Sequence, residues 1–343
     1  MNTNIPLASV IVVNWNGREF IFECIDSLLA QSWQSLEIIV VDNGSTDGSD
    51  IELVNRYASR IRLIKKDFNT GFAAGNNTGI REAKGEFIFL LNSDAVAEKN
   101  WIKNIVEAGE RNPHSGMFAS KILQYDNREI IDNTGHLIYR DGLNRGRGRL
   151  EKDFGQFDIE SEIFFPSGCA ACYRKKMLDD TGLFDEDFFA YGDDTDIGLK
   201  CRVAGWGCTY VPTAIAYHRY SGSSSAYSKL KAFHVERNRA WISVKYFPPL
   251  ALAISPFYTL LRFSLQAYGA LSGKGAAGKF RAEYSAFDLI IILLKAYASA
   301  INGLPKMLEK RKKIKNISKV SSKEFNRWLK EFTISAREIA LKD

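Results

Sequence analysis

Along the first hundred residues, short apolar runs alternate with stretches in which apolar side chains recur every three or four positions. "ASVIVVNW" (8–15) and "LEIIVVDN" (36–43) are runs rich in β-branched residues closed by polar turn residues, the pattern of strands buried on both faces. Between them "REFIFECIDSLLAQS" (18–32) has helical spacing, and "IRLIKK" (61–66) and "EFIFLLNSD" (86–94) predict a third and a fourth strand, separated by a glycine-rich link and a helix. Strand and helix in alternation imply an α/β fold, with a mostly parallel sheet covered by helices on both faces. In such sheets ligands bind beyond the carboxyl ends of the strands. The polar residues fall at those ends: Asn14 and Asn16 after the first run, Asp42 and Asn43 after the second, Asp94 after the fourth.

After Tyr246 the pattern changes to helices alone. "YFPPLALAISPFYTLLRFSLQAYGALSG" (246–273) is apolar but carries three prolines and Arg262, and its longest uncharged run falls short of the roughly 18–20 residues that a spanning helix needs. In "FDLIIILLKAYASAINGLPK" (287–306), Leu289, Ile292, Leu293, Ala296, Tyr297, Ala300, Ile301 and Leu304 share one helical face, while Asp288, Lys295, Ser299, Asn302 and Lys306 lie on the other. Followed by "KRKKIKNISK" (310–319), this predicts a helix lying in the interface of an anionic leaflet. The alternative is a helical hairpin packed on the preceding domain or on a second copy of the chain. The boundary is expected at 240/241, with an α/β domain over 1–240 and a helical, basic region over 241–343.

Composition narrows the classes. The chain of 343 residues is 45% hydrophobic and 12% aromatic, which is globular rather than collagenous or disordered. Of the formal charge of +6, residues 301–343 carry 12 Lys and Arg against 5 Asp and Glu, leaving 34 against 35 in the remainder. A charge excess confined to one end points to an anionic surface, and no nucleic-acid partner is expected. Five scattered cysteines do not make a disulfide framework, and "MNTNIPLASV" lacks the basic and apolar regions of a signal peptide, so a reducing cytoplasm is expected. Cys169, Cys172, Cys201 and Cys208 could in principle form a thiolate zinc site, but their spacing lacks knuckle-like turns, and buried thiols are the commoner outcome.

Taken singly, the polar motifs are ambiguous. "DNGSTDGS" (42–49) is also what a turn followed by a helix cap looks like. Their recurrence on one predicted sheet edge favours a nucleotide site. No G-x-G-x-x-G follows the first strand, and "NTGFAAGNNTGI" (69–80) lacks the Gly-Lys-Ser/Thr ending of a P-loop, which disfavours dehydrogenase and nucleoside-triphosphatase sites. "FFAYGDDTDIGLK" (188–200) sets Asp193, Asp194 and Asp196 within four positions at the start of a helical pattern. A solvated acidic turn is the ordinary source of such a cluster, and the flanking aromatic run argues against it. Asp196 is expected to cap the helix.

In family order, "SVIVVNWNG", "VVDNGSTDGS", "NTGFAAGNNTGI", "LLNSDA" and "FPSGCAACYRKKMLDDTGLFDEDFFAYGDDTDIGLKCRVAGWGCTYVPTAIAYH", with a downstream "RNR", resemble the inverting, nucleotide-sugar-dependent glycosyltransferases of family 2, which have the GT-A (Rossmann-like) fold. The later "RNR…GLP…KR" spacing (237–239, 303–305, 310–311) resembles bacterial rhamnosyltransferase-like enzymes of surface polysaccharide synthesis. The resemblance implies a UDP- or dTDP-sugar donor, dTDP-rhamnose-like in preference. It implies a saccharide acceptor on a polyprenyl carrier, in O-antigen or similar synthesis, and a location at the inner face of the plasma membrane. By the same resemblance Asp42 accepts a hydrogen bond from the pyrimidine, and Val13, Asn14, Trp15 and Asn16 line the base pocket. Asn43, Asn76, Asn77 and Ser93 lie near the nucleotide, and Asp94 and His218, in "YHRYSGSS", hold a divalent cation, Mg2+ or Mn2+. Asn92, Ser93 and Asp94 stand where the family has D-x-D, so only one carboxylate remains. A hard cation that also binds pyrophosphate oxygens needs few protein ligands. "GDDTD" corresponds to the E-D-x-D motif, which implies Asp194 as the base and Asp193 as a supporting carboxylate. Amides at a helix N-terminus would favour the ionised base. The altered D-x-D leaves open a non-catalytic alternative, a sugar-nucleotide-binding or scaffold protein of a polysaccharide assembly complex.

Overall fold

In the computed structural model, which describes residues 5–219 and 228–342, the chain divides into two compact units. The first comprises residues 1–136, 146–190 and 206–223, and the second residues 137–145, 191–205 and 224–343. The division is therefore not one cut at 240/241. Segments 137–145 and 191–205 join the C-terminal helices because their buried charges find partners there, as shown below.

The elements of the first unit run β1 (Ala8–Asn14), α1 (Ile21–Leu29), β2 (Leu36–Asp42), α2 (Ser49–Tyr57), β3 (Arg62–Lys65), α3 (Gly71–Glu82) and β4 (Phe87–Leu91). They continue as β5 (Ala95–Ala97), α4 (Trp101–Arg111), β6 (Ser115–Gln124) and β7 (Ile131–Asn133). Next in the chain comes a short hairpin of β8 (His136–Ile138) and β9 (Asn144–Gly146), most of which belongs to the second unit; the first unit resumes with β10 (Ser161–Glu162), β11 (Ala170–Arg174), α5 (Lys175–Thr181) and, after the second unit's α6 (Asp193–Val203), β12 (Gly207–His218). The sheet order is β10-β12-β6-β11-β4-β1-β2-β3. The four strands predicted from the N-terminal pattern form its parallel block, β3-β2-β1-β4. Beyond them the sheet is mixed: β11 is antiparallel to both β4 and β6, while β12 is parallel to β6. Of the residues of β1, all but Val13 are buried, and α1 turns Ile21, Cys24, Ile25 and Leu28 onto the same core. All five cysteines are buried, and none is in a disulfide.

"NTGFAAGNNTGI" is helical from Gly71 onward, not a loop. Its glycines are needed for close approach: a Cβ at Gly79 would come within 2.5 Å of Ile11 Cγ2, and one at Gly75 within 2.8 Å of Val13 Cγ1. This brings α3 down onto β1.

The second unit holds α6, α7 (Lys229–Tyr246), α8 (Pro249–Ser272), α9 (Gly275–Glu283), α10 (Ala286–Asn302), α11 (Leu304–Ile317), α12 (Ser322–Glu331) and α13 (Ala336–Leu341). The "RNR…GLP…KR" residues hold it together. Asn238 donates to the carbonyl of Tyr191 at 2.6 Å, and Arg237 stacks 4.3 Å from the centre of the Trp241 ring. Arg311 donates to the carbonyls of Val244 and Phe247, satisfying the end of α7. Gly303 lies so close to Trp241 that a Cβ would come within 2.5 Å of Cζ2. Arg262, fully buried, donates to Asp141 at 2.8 Å and to both oxygens of Glu236 at 2.7 and 2.9 Å, while Arg239 donates to Glu236 at 3.2 Å. These two cations and two anions balance inside the unit.

The face of α10 chosen from the sequence is largely packed. Ile292, Ala296 and Ala300 are buried, Trp241 donates to the Ala300 carbonyl at 3.1 Å, and Tyr297 accepts from Arg239 at 2.7 Å. This packing is what the alternative reading of the pattern expects, and α10 is apolar on a second face as well, with Ile290 and Leu294 exposed. Among the described residues no single helix is long and apolar enough to cross a membrane; α9 and α10 together meet the length and composition but bend by 114°.

Candidate nucleotide and cation site

The parallel block sets Asn14 opposite Asp42 in register, so the first two polar strand ends lie side by side. Asp42 is buried, yet its carboxylate accepts only the Ser45 amide, 3.2 and 3.4 Å from its two oxygens. A carboxylate offers about four acceptor positions, so most of its capacity is unspent among the described residues. Asn14 donates to Ser49 Oγ at 2.9 Å and Ser45 Oγ at 3.2 Å, while its own Oδ1 is buried without a hydrogen-bond partner among the described residues. That oxygen faces Gly17, where a Cβ would approach it to 2.6 Å and Ser93 Oγ to 3.4 Å. Asn14, Gly17 and Ser93 therefore adjoin.

Asn16 takes a left-handed backbone (φ 49) and accepts from the Thr46 amide at 2.8 Å, stitching the loop after β1 to the loop after β2. Trp15 beside it is exposed and Val13 half-buried. Asn43 is consumed by the scaffold: it accepts from Thr70 and donates to Asn69 and the Gly71 carbonyl. Asn77 is likewise spent, donating to the Phe184 carbonyl and Glu186 and accepting from the Phe184 amide, each at 2.9 Å. Asn76 donates back to the Phe72 carbonyl of its own helix. The expectation that Asn43, Asn76 and Asn77 face a nucleotide is corrected for Asn43 and Asn77, whose amides are fully used in holding loops; the side chain of Asn76 is buried and turned back onto α3.

His218 and Asp94 are brought together by strand pairing. β12 runs antiparallel to β5 with His218 opposite Ala95, and His218 Nε2 lies 3.4 Å from Asp94 Oδ1. The other ring nitrogen, Nδ1, is 2.7 Å from Asp132 Oδ2, and Arg149 holds the second oxygen of Asp132 at 2.8 Å. All three side chains are buried. Burial alone would lower the His218 pKa, but the adjoining Cys169 and hydrogen bonds to Asp132 and Asp94 outweigh it and hold the imidazole well above its usual value. Asp132 also stays below the usual carboxylate range despite burial, through His218 and Arg149. Asp132 was missed in the sequence because "IIDNTGH" carries no family motif and its role depends on β7 lying beside β6. Among the described residues no set of three or more His, Cys, Asp or Glu side chains is arranged to hold a metal ion unaided. Asp94 and the Nε2 of His218 fit a cation that takes its remaining ligands from phosphate and water, with Asp132 in the place of a carboxylate that orients a ligating histidine. The second half of "YHRYSGSS" lies outside the described residues.

In the second unit, Gly192 (φ 80) caps α6 and Asp193 begins it, so the three acids occupy its first turn. Tyr191 before it is also left-handed (φ 65), a strained setting for a side-chain-bearing residue. Asp193 is buried, and burial, then the neighbouring Asp194 carboxylate, push its pKa well above the usual range. Asp194 is half-buried and accepts from the Thr195 amide at 2.7 Å. Asp196 does not cap the helix. It is buried in an ion pair with Lys245, with the Tyr246 hydroxyl 2.9 Å from Oδ1. The second acid is thus the one of the three left partly open.

The sheet thus carries at its carboxyl edge a buried carboxylate and a buried amide oxygen with unspent hydrogen-bonding capacity among the described residues. Residues 9–182, half of the chain, match the model of "Glycosyl transferase family 2", and the protein belongs to that family. An uncharacterised glycosyltransferase of Haemophilus influenzae is 37% identical over 113 residues, 32% of this chain and 35% of that protein. One of Rickettsia typhi is 29% identical over 199 residues, 58% and 59% of the two chains. The chain thus spans between about a third and three fifths of these curated relatives. Two solved structures share the GT-A fold: the mannosyltransferase PcManGT of Pyrobaculum calidifontis, in complex with GDP-Man and Mn2+ (TM-score 0.54, 18% identity, 88% of each chain), and S. aureus TarS 1-349 in complex with UDP (TM-score 0.54, 18% identity, 90% and 91%).

Proposed function

We propose that the protein is an inverting glycosyltransferase that moves a sugar from a UDP- or dTDP-sugar, dTDP-rhamnose-like in preference, to a saccharide on a polyprenyl carrier in surface polysaccharide synthesis. The observation that carries this reading is Asp42, a buried carboxylate at the end of β2 with acceptor capacity left over, beside the unpartnered Asn14 oxygen. An N–H of a pyrimidine ring is the donor that such an edge lacks. The GDP-Man and UDP bound in the two neighbouring structures support a nucleotide-sugar donor.

Asp94 and His218 would hold a divalent cation, which when bound supplies positive charge to the departing diphosphate. Asp132, bonded to Nδ1 of His218, would keep the ring oriented so that Nε2, once its proton is displaced, could ligate the cation beside Asp94. Asp194 takes the proton of the acceptor hydroxyl as its oxygen bonds to the anomeric carbon and the bond to the diphosphate oxygen breaks. Asp193, beside it in the same turn, supports the orientation of the acceptor. The working place is the inner face of the plasma membrane, with an anionic bilayer or a second copy of the chain as partner to the helical region.

The test is release of nucleoside diphosphate from a panel of UDP- and dTDP-sugars with Mn2+ and Mg2+, with and without a polyprenyl-linked saccharide. The reading expects acceptor-dependent release from at least one donor. Binding of donors without release from any would favour the non-catalytic alternative, which Asn92 in place of an acid motivates.

A further inference from the structure

The helices of the second unit leave a broad apolar surface uncovered. On α8 the buried positions are Ala251, Ser255, Thr259, Arg262 and Gly269, and Arg262 is the only charged residue in all 24 positions. The opposite stripe, at spacings of four, three, four and seven, is Leu250, Ile254, Phe257, Leu261 and Tyr268, all exposed, Phe257 at 66%. On α10 a second stripe is exposed in the same way: Phe287, Ile290, Leu294 and Ile301, with Leu294 at 66%. Phe263 and Tyr297 stack edge-on at 6.5 Å and Arg239 bonds both Thr259 and Tyr297, so α8 meets α10 away from its own exposed stripe. The exposed apolar stripe that runs the length of α10 marks an interaction site in its own right.

What covers it is indicated by charge. Gly303 keeps near-helical angles (φ −80, ψ −6), so α11 continues α10. The exposed series Ile301, Leu304, Leu308 then passes at helical spacing into Lys312 and Lys315, also exposed. Helix α11 carries six Lys and Arg against one Glu. An apolar stripe that gives way to lysines matches the boundary between acyl chains and anionic headgroups, with long basic side chains reaching outward. A two-fold contact with a second copy would instead bring two such basic helices toward one another.

We propose that the exposed stripe of α10, with the basic end of α11, docks on the surface of an anionic phospholipid bilayer without crossing it. Ile301 and Leu304 belong also to the face that the sequence pattern selected, and Phe287, Ile290 and Leu294 carry the exposed stripe beyond it. The inference deepens the membrane part of the proposed function, and it fails separately from the transfer reading, because donor turnover does not require vesicles.

The experiment is flotation of the full chain with vesicles of phosphatidylcholine and phosphatidylglycerol (3:1) and of phosphatidylcholine alone, at low and high salt, with the oligomeric state measured by sedimentation equilibrium. Ile290→Glu/Leu294→Glu places two charges where apolar side chains would enter the leaflet, and the expected loss of partitioning is on the order of tenfold or more. Lys312→Glu/Lys315→Glu should weaken binding to the anionic vesicles and remove most of its salt dependence. Phe287→Glu/Ile301→Glu repeats the first test should that variant melt early. Failure of the intact chain to float with anionic vesicles overturns the proposal. So does unchanged flotation of the folded glutamate variants, or an intact dimer that Ile290→Glu/Leu294→Glu splits while vesicle binding is absent.

Discussion

Replacing Lys245 by Met tests whether the first turn of α6 is held by charge. Lys245 and Asp196 are both buried and paired, the Tyr246 hydroxyl lies 2.9 Å from the same carboxylate oxygen, and the other oxygen, Oδ2, has no hydrogen-bond partner among the described residues. Removing the ammonium leaves a buried carboxylate with one neutral donor. Breaking one side of such a pair costs about 3–5 kcal/mol, of which the remaining Tyr246 bond, worth roughly 1.5–3 kcal/mol to a charged acceptor, is retained in both proteins and so does not offset the loss. Lys245→Met/Asp196→Asn removes the stranded charge as well and should recover about 2–3 kcal/mol, the upper range of coupling for residues in contact. Urea unfolding followed by far-UV circular dichroism gives the cycle. A single variant within about 1 kcal/mol of the intact protein, or a double variant no better than the single, would refute the view that the pair anchors the turn bearing Asp193 and Asp194.

Three further outcomes follow. Glu236 is held below its ordinary pKa of 4.5, burial being outweighed by Arg262 and Arg239; a depressed carboxylate contributes stability that is full above the unfolded pKa and is lost as pH falls through the folded one, so Glu236→Gln should flatten the acid limb of the stability curve below about pH 4.5, whatever it costs at pH 7. Asn77→Ala strands the amide and carbonyl of Phe184 and should destabilise by about 1–3 kcal/mol in thermal or urea unfolding. Asp132→Asn should weaken nucleotide-dependent Mn2+ binding by about 10–100-fold, read by electron paramagnetic resonance of the free ion on protein whose far-UV circular dichroism shows it folded.

The parallel block was legible because β1, β2 and β4 are buried on both faces and so read as unbroken apolar runs. The mixed half was not: β11 and β12 read as equally apolar segments, and nothing in "AACYR" says that it runs antiparallel between β4 and β6. Polar residues at strand ends could be found from the sequence, but their division of labour could not. Asp42 and Asn43 are neighbours in one motif, and only the fold shows that Asn43 is spent on Asn69, Thr70 and Gly71 while Asp42 is nearly free. Likewise the three acids of "GDDTD" look alike, until Lys245, 49 residues on, claims Asp196, and burial raises the pKa of Asp193. The "RNR…GLP…KR" residues carried the family likeness, yet in the fold they close α7 and fit α10 against Trp241. Contacts between distant segments decide these roles, and local pattern carries no record of them.

The most direct measurement compares the intact protein with Asp194→Asn in single-turnover transfer, alongside calorimetric binding of the donor nucleotide with Mn2+. Proton removal by Asp194 predicts donor binding within about twofold and turnover lower by about 10²–10⁴-fold. Transfer at the intact rate by a folded, nucleotide-binding Asp194→Asn protein would contradict the account.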